Sequence, residues 1–82
     1  MPLSDFDEGM QTAILNDLVD VYPDGTTMND FWQVFEKAQN AFRFNASYLT
    51  GSGLAENWVN EDGDKTLRIT AKGIDHLRAQ VR

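Results

Sequence analysis

The sequence predicts a single, mainly α domain with one small β-hairpin, an α+β fold in the order α-(β)-α-α-β-β-α. Three observations predict it. Apolar residues recur at helical spacing through residues 5–22, at Met28, Phe31, Trp32, Phe35 and Ala38, and again beyond Gln39. Two short β-prone runs, 54–59 and 65–70, flank an Asp62-Gly63 turn. The chain has only 82 residues, which fits one domain, 1–82, with a modest core.

The first helix is expected over roughly residues 5–22. Ser4 or Asp5 can cap it, and Asp7 and Glu8 fall in its first turn, where the helix dipole favours anions. Phe6, Met10, Ile14, Leu18 and Val21 form its stripe, and Pro23 and Gly25 end it. Thr27 or Asn29 can cap the second helix. The third begins near Gln39–Asn40, where the apolar face changes phase, with one continuous bent helix as the alternative. Ala41, Phe44, Tyr48 and Leu49 are expected inward, and Asn40, Arg43, Ser47 and Thr50 outward. Gly51 or Gly53 stops it.

In the hairpin, a turn centred on Asp62-Gly63 sets Trp58 opposite Leu67 and Glu56 opposite Ile69, on the core side. Asn57 then faces Arg68 on the other side. Glu61 opposite Asp64 would place like charges together, so a four-residue tip with the same register is expected. Thr70 caps the last helix, with Ile74 and Leu77 inward and Lys72, Arg78 and Arg82 outward.

Composition excludes several functional classes. There is no cysteine and one histidine, hence no disulfide framework, thiolate zinc site or multi-histidine metal centre. No run approaches the roughly 20 apolar residues of a membrane span. The acidic MPLSDFDEGM start lacks the basic region of a signal peptide, so a cytoplasmic protein is expected. His76 lies among solvated charges, with Asp75 beside it in sequence rather than on the same helix face, so no enzyme active site is expected. Asn60–Asp64 fails as an EF-hand, because Lys65 and Ala71 stand where Gly and Glu are needed. Gly51-Ser52-Gly53 lacks the lysine and strand–loop–helix context of a phosphate loop. Asn45-Ala46-Ser47 matches a glycosylation acceptor but falls inside a helix. No cofactor, metal or small-molecule substrate is expected.

Charge is unevenly distributed around a net −6. Residues 1–36 hold eight acids and no Lys or Arg, net −8. Residues 37–82 hold all seven Lys and Arg against five acids, net +2. The acids of the first half flank apolar stripes, as solvated helix faces do.

The element order, together with two motifs, resembles the winged helix-turn-helix family. Tyr48-Leu49-Thr50-Gly51-Ser52-Gly53-Leu54 is similar to the end of that family's third helix and its step into the wing. Leu67-Arg68-Ile69-Thr70-Ala71-Lys72-Gly73-Ile74 is similar to the wing-exit strand and the helix that follows. The resemblance covers nearly the whole chain and implies a DNA-binding, transcription-regulator-like module. Its third helix would present Asn40, Arg43, Ser47 and Thr50 to the major groove, and Lys65 and Arg68 would meet the backbone from the wing. The expected partner is double-stranded DNA, bound by a homodimer. The alternative is a protein–protein adaptor that keeps the fold without binding DNA, with Trp32 and Phe42, at the edges of their apolar stripes, as partner contacts. The scarcity of cations and the acidic tip Glu61-Asp62-Asp64 argue against tight DNA binding by a monomer.

Overall fold

The computed structural model describes residues 5–34 and 38–80. The elements are α1 (Glu8–Val21), β1 (Thr26–Thr27), α2 (Met28–Val34), α3 (Gln39–Gly51), β2 (Ala55–Val59), β3 (Lys65–Ile69) and α4 (Ala71–Gln80). This is the order that the sequence predicts. Ser4, Phe35, Lys37 and Arg82, which figure in the sequence expectations, lie outside the described residues.

α1 starts later than expected. Asp7 is its N-cap, and its side chain accepts from the Met10 N–H at 3.1 Å, so neither Ser4 nor Asp5 serves. Gln11, Ile14, Leu15 and Leu18 are buried, while Phe6 and Val21 are exposed. The Thr27 hydroxyl accepts from the Asp30 N–H at 3.3 Å and caps α2. α3 closes in a left-handed turn at Gly53 (φ +81°), which lets the Leu54 N–H reach the Leu49 carbonyl at 3.0 Å. Ser52 adds a second closure, its hydroxyl donating to the Tyr48 carbonyl at 2.9 Å. Thr70 caps α4 by accepting from the Gly73 N–H at 3.0 Å, and its own hydroxyl donates to the Gly53 carbonyl at 2.6 Å.

The core joins α1, α2, α3, α4 and the sheet through Ile14, Leu15, Leu18, Phe31, Phe42, Leu49, Ala55, Leu67, Ile69 and Leu77. The phase of α3 differs from the expectation. Phe42, Asn45 and Leu49 face inward, Phe44 is half-buried and Tyr48 is exposed. The cause is Asn45, a polar residue at a core position, which hides the true stripe from an apolar count. It is 0% exposed and fully bonded. Its Oδ1 accepts from the Asp7 N–H (3.0 Å) and from Gln11 Nε2 (2.9 Å). Its Nδ2 donates to the carbonyls of Asp5 and Ala41, both at 2.7 Å. One amide thus fastens the segment before α1 to the middle of α3.

The sheet is antiparallel in the order β1-β3-β2. Its hairpin register corrects the expectation by one residue: Ala55 faces Ile69, Glu56 faces Arg68, Asn57 faces Leu67 and Trp58 faces Thr66. The tip explains the shift. Asn60 N–H donates to the Asp64 carbonyl at 3.0 Å, Gly63 N–H to the Asn60 carbonyl at 3.0 Å, and Asp64 N–H to the Asn60 side chain at 2.9 Å. The loop therefore spans 60–64, an odd count, with Gly63 at φ +84°. Because side chains alternate, the shift turns every β2 side chain over. Ala55 and Asn57 join the Leu67–Ile69 face, and Glu56 and Trp58 join the Arg68 face. Trp58 is consequently 41% exposed rather than part of the core.

Candidate nucleic-acid interface

α3 places Asn40, Arg43 and Ser47 at the surface and Thr50 half-buried on the same side. Spacings of three, four and three keep the four on one face. Among the described residues, the side chains of Asn40, Arg43 and Ser47 have no hydrogen-bond partner. Thr50 is committed, its hydroxyl donating to the Ser47 carbonyl at 2.9 Å.

Arg43 and Ser47 form a ridge between two depressions. On one side is an open dish of about 730 Å³, completed by Asp5, Asn40, Phe44 and Tyr48. On the other is a cleft of about 210 Å³ between α3 and the hairpin, lined by Arg43, Ser47, Thr50 and Asn57 over Met28, Phe42, Ala46 and Leu67. Tyr48 is steadied by an edge-on contact with Phe6, with ring centroids 5.1 Å apart.

The two hairpin cations part company. Lys65 is exposed, opposite Val59 on the Leu67 face, and lines a separate depression with Thr27, Met28, Asn29 and Asp64. Arg68 lies on the opposite face. Its Nε donates to Glu56 Oε1 at 3.0 Å, its Nη2 reaches the same oxygen, and its guanidinium sits 3.8 Å from the Trp58 ring centroid. Arg68 is neutralised and stacked, and does not join the α3 row.

Asn57 is the residue that sequence reasoning missed. The register read from Asp62-Gly63 puts it beside Arg68, whereas the true register brings it to the cleft with Arg43. The odd-length loop closed by Asn60 was the signal that could have found it.

Of the aromatics expected at a partner surface, Phe42 is corrected. It is 0% exposed and packs on Phe31 with centroids 4.9 Å apart, so it offers nothing to a partner. Trp32 belongs to α2, but its side chain lies outside the described residues. His76 is exposed and contacts Gln80 at 3.0 Å. Among the described residues no group of three or more His, Asp or Glu is placed to hold a metal ion. No described helix is long and apolar enough to cross a membrane.

A similar solved structure is the crystal structure of MepR, a transcription regulator of the Staphylococcus aureus multidrug efflux pump MepA. The TM-score is 0.71 at 23% identity, over 85% of this chain. The fold is a winged helix-turn-helix. The hairpin β2–β3 is its wing, and α2 and α3 are its helix-turn-helix pair. The chain spans about half of MepR, covering 52% of it. No protein-family model and no curated protein matches the chain.

Proposed function

We propose that this domain is a DNA-binding, transcription-regulator-like module that lays the exposed face of α3 in the major groove. The observation that carries this reading is the α3 face itself. Asn40, Arg43 and Ser47 stand out from a buried helix with their polar atoms uncommitted among the described residues, and these are side-chain types that pair with base edges and phosphates. The major groove is about 12 Å wide and admits a helix. The description of MepR as a transcription regulator supports the same reading.

The charge inventory predicts how such binding behaves. Arg43 and Lys65 are the described cations on the α3 side, since Arg68 is spent on Glu56. Two phosphate contacts per copy give a salt slope of about −2 in log K against log salt. A homodimer would double it, and light scattering with and without DNA reads that state. The direct test is titration with random-sequence duplex DNA at low salt. Binding that weakens as salt rises is expected, and no binding would overturn the proposal.

The second reading, a protein-contact module, draws on the tip residues Glu61, Asp62 and Asp64, whose charge repels a phosphate backbone. It predicts no affinity for duplex DNA and capture of a basic protein surface through the wing tip.

A further inference from the structure

The sugar–phosphate strand of B-DNA is the ridge that separates its major groove from its minor groove. A helix seated in one groove and a hairpin reaching toward the other must therefore hold that ridge between them. In this domain the space between α3 and the wing is the cleft of about 210 Å³. Its helix rim carries Arg43 and Ser47, and its wing rim carries Asn57. Asn57 is exposed, and its side-chain amide has no hydrogen-bond partner among the described residues. Its floor is apolar, made by Met28, Ala46 and Leu67.

We infer that this cleft seats one deoxyribose-phosphate unit, so that Arg43 and Asn57 hold the phosphate from opposite rims and Arg43 is a backbone contact rather than a base reader. The inference rests on the DNA-binding reading above. A guanidinium and an amide N–H supply charged and neutral donors to phosphate oxygens, and the apolar floor suits the face of a deoxyribose ring. Base readout falls to the other side of the ridge, to Asn40 with Phe44 and Tyr48 along the dish. The resemblance places Arg43 on the groove-facing row with base edges and phosphates both open to it, whereas the wing register, by bringing Asn57 to the same cleft, favours the strand.

The test is binding of the full chain to a panel of unrelated duplex sequences, over a range of salt, for the unaltered protein and for Arg43→Gln, Arg43→Lys and Asn57→Ala. All are exposed positions, and thermal melting checks that each variant folds. A phosphate contact needs a cation but not a guanidinium fork. Arg43→Gln should thus weaken binding by a similar factor on every sequence and lower the salt slope by about one. Arg43→Lys should restore most of the affinity, and Asn57→Ala should weaken every sequence alike with the slope unchanged. Loss confined to a subset of sequences, with Arg43→Lys as impaired as Arg43→Gln, would overturn the inference while leaving DNA binding intact. Asn57→Ala binding like the unaltered protein would also overturn it. Failure of the unaltered protein to bind any duplex would overturn the DNA reading and this assignment with it.

Discussion

Asn45 carries a disproportionate share of the architecture for one side chain. Three short bonds, to Asp5, Asp7 and Gln11, cross from α3 to α1 and the segment that opens it, and a fourth, to the Ala41 carbonyl, stays within α3. Truncation would leave a buried Gln11 amide and the Asp7 N–H short of a partner, each costing about 1–3 kcal/mol. Asn45→Ala is therefore expected to lose about 2–4 kcal/mol in denaturant melts, and a loss below 1 kcal/mol would contradict the clamp. Gly73 is a second such residue. A Cβ there would run into the Leu54 carbonyl and come within 2.7 Å of an Ile69 methylene. The neighbouring backbone cannot yield as a flexible side chain would. Gly73→Ala should destabilise by about 1–3 kcal/mol despite alanine's better helix propensity. A neutral or stabilising result would mean that α4 packs less closely on the wing than described. Neither effect is visible in sequence, because both depend on which distant backbone arrives at the residue.

The elements themselves were largely legible. The long α1 period, the Thr27 and Thr70 caps, the glycine stop after α3 and the Asp-Gly hairpin all signal locally. Two phases were not. In α3 a buried asparagine replaced an apolar residue, so the apolar count pointed to Phe44 and Tyr48 and made Phe42 look peripheral. In the wing, Asp62-Gly63 gave the turn but not the loop length, which the Asn60 side chain decides by bonding the Asp64 N–H. A single residue of register is enough to exchange Trp58 for Asn57 at the α3 side. The consequence is measurable. With Trp58 41% exposed and Arg68 stacked on it, Trp58→Ala should cost about 1–2 kcal/mol, from partial burial and an exposed cation–π contact. A loss of about 3–5 kcal/mol, as for a core aromatic, would restore the register drawn from Asp62-Gly63. The α3 polar row was legible because its spacing is purely helical. Its partner on the wing was not, because that partnership depends on the register.

At the scale of the molecule, the uneven charge takes on a geometry. The acids of residues 1–36 belong mostly to α1 and its flanks. The described cations of the second half, Arg43, Lys65, Arg68, Lys72 and Arg78, are divided among α3, the wing and α4. Lys72 donates to the Ser52 carbonyl at 3.0 Å, and Arg78 lies 3.8 Å from Asp75 on α4. Arg68 is held by Glu56. On the proposed DNA-binding reading, so few free cations predict modest affinity and a shallow salt dependence. The central claim, that the face of α3 binds duplex DNA, is tested most directly by measuring affinity against salt for the unaltered domain and for Arg43→Ala. Binding at low salt is expected with a slope of about −2 per copy, and a slope nearer −1 with weaker binding once Arg43 is removed. No binding at low salt, or binding that Arg43→Ala leaves unchanged, would contradict it.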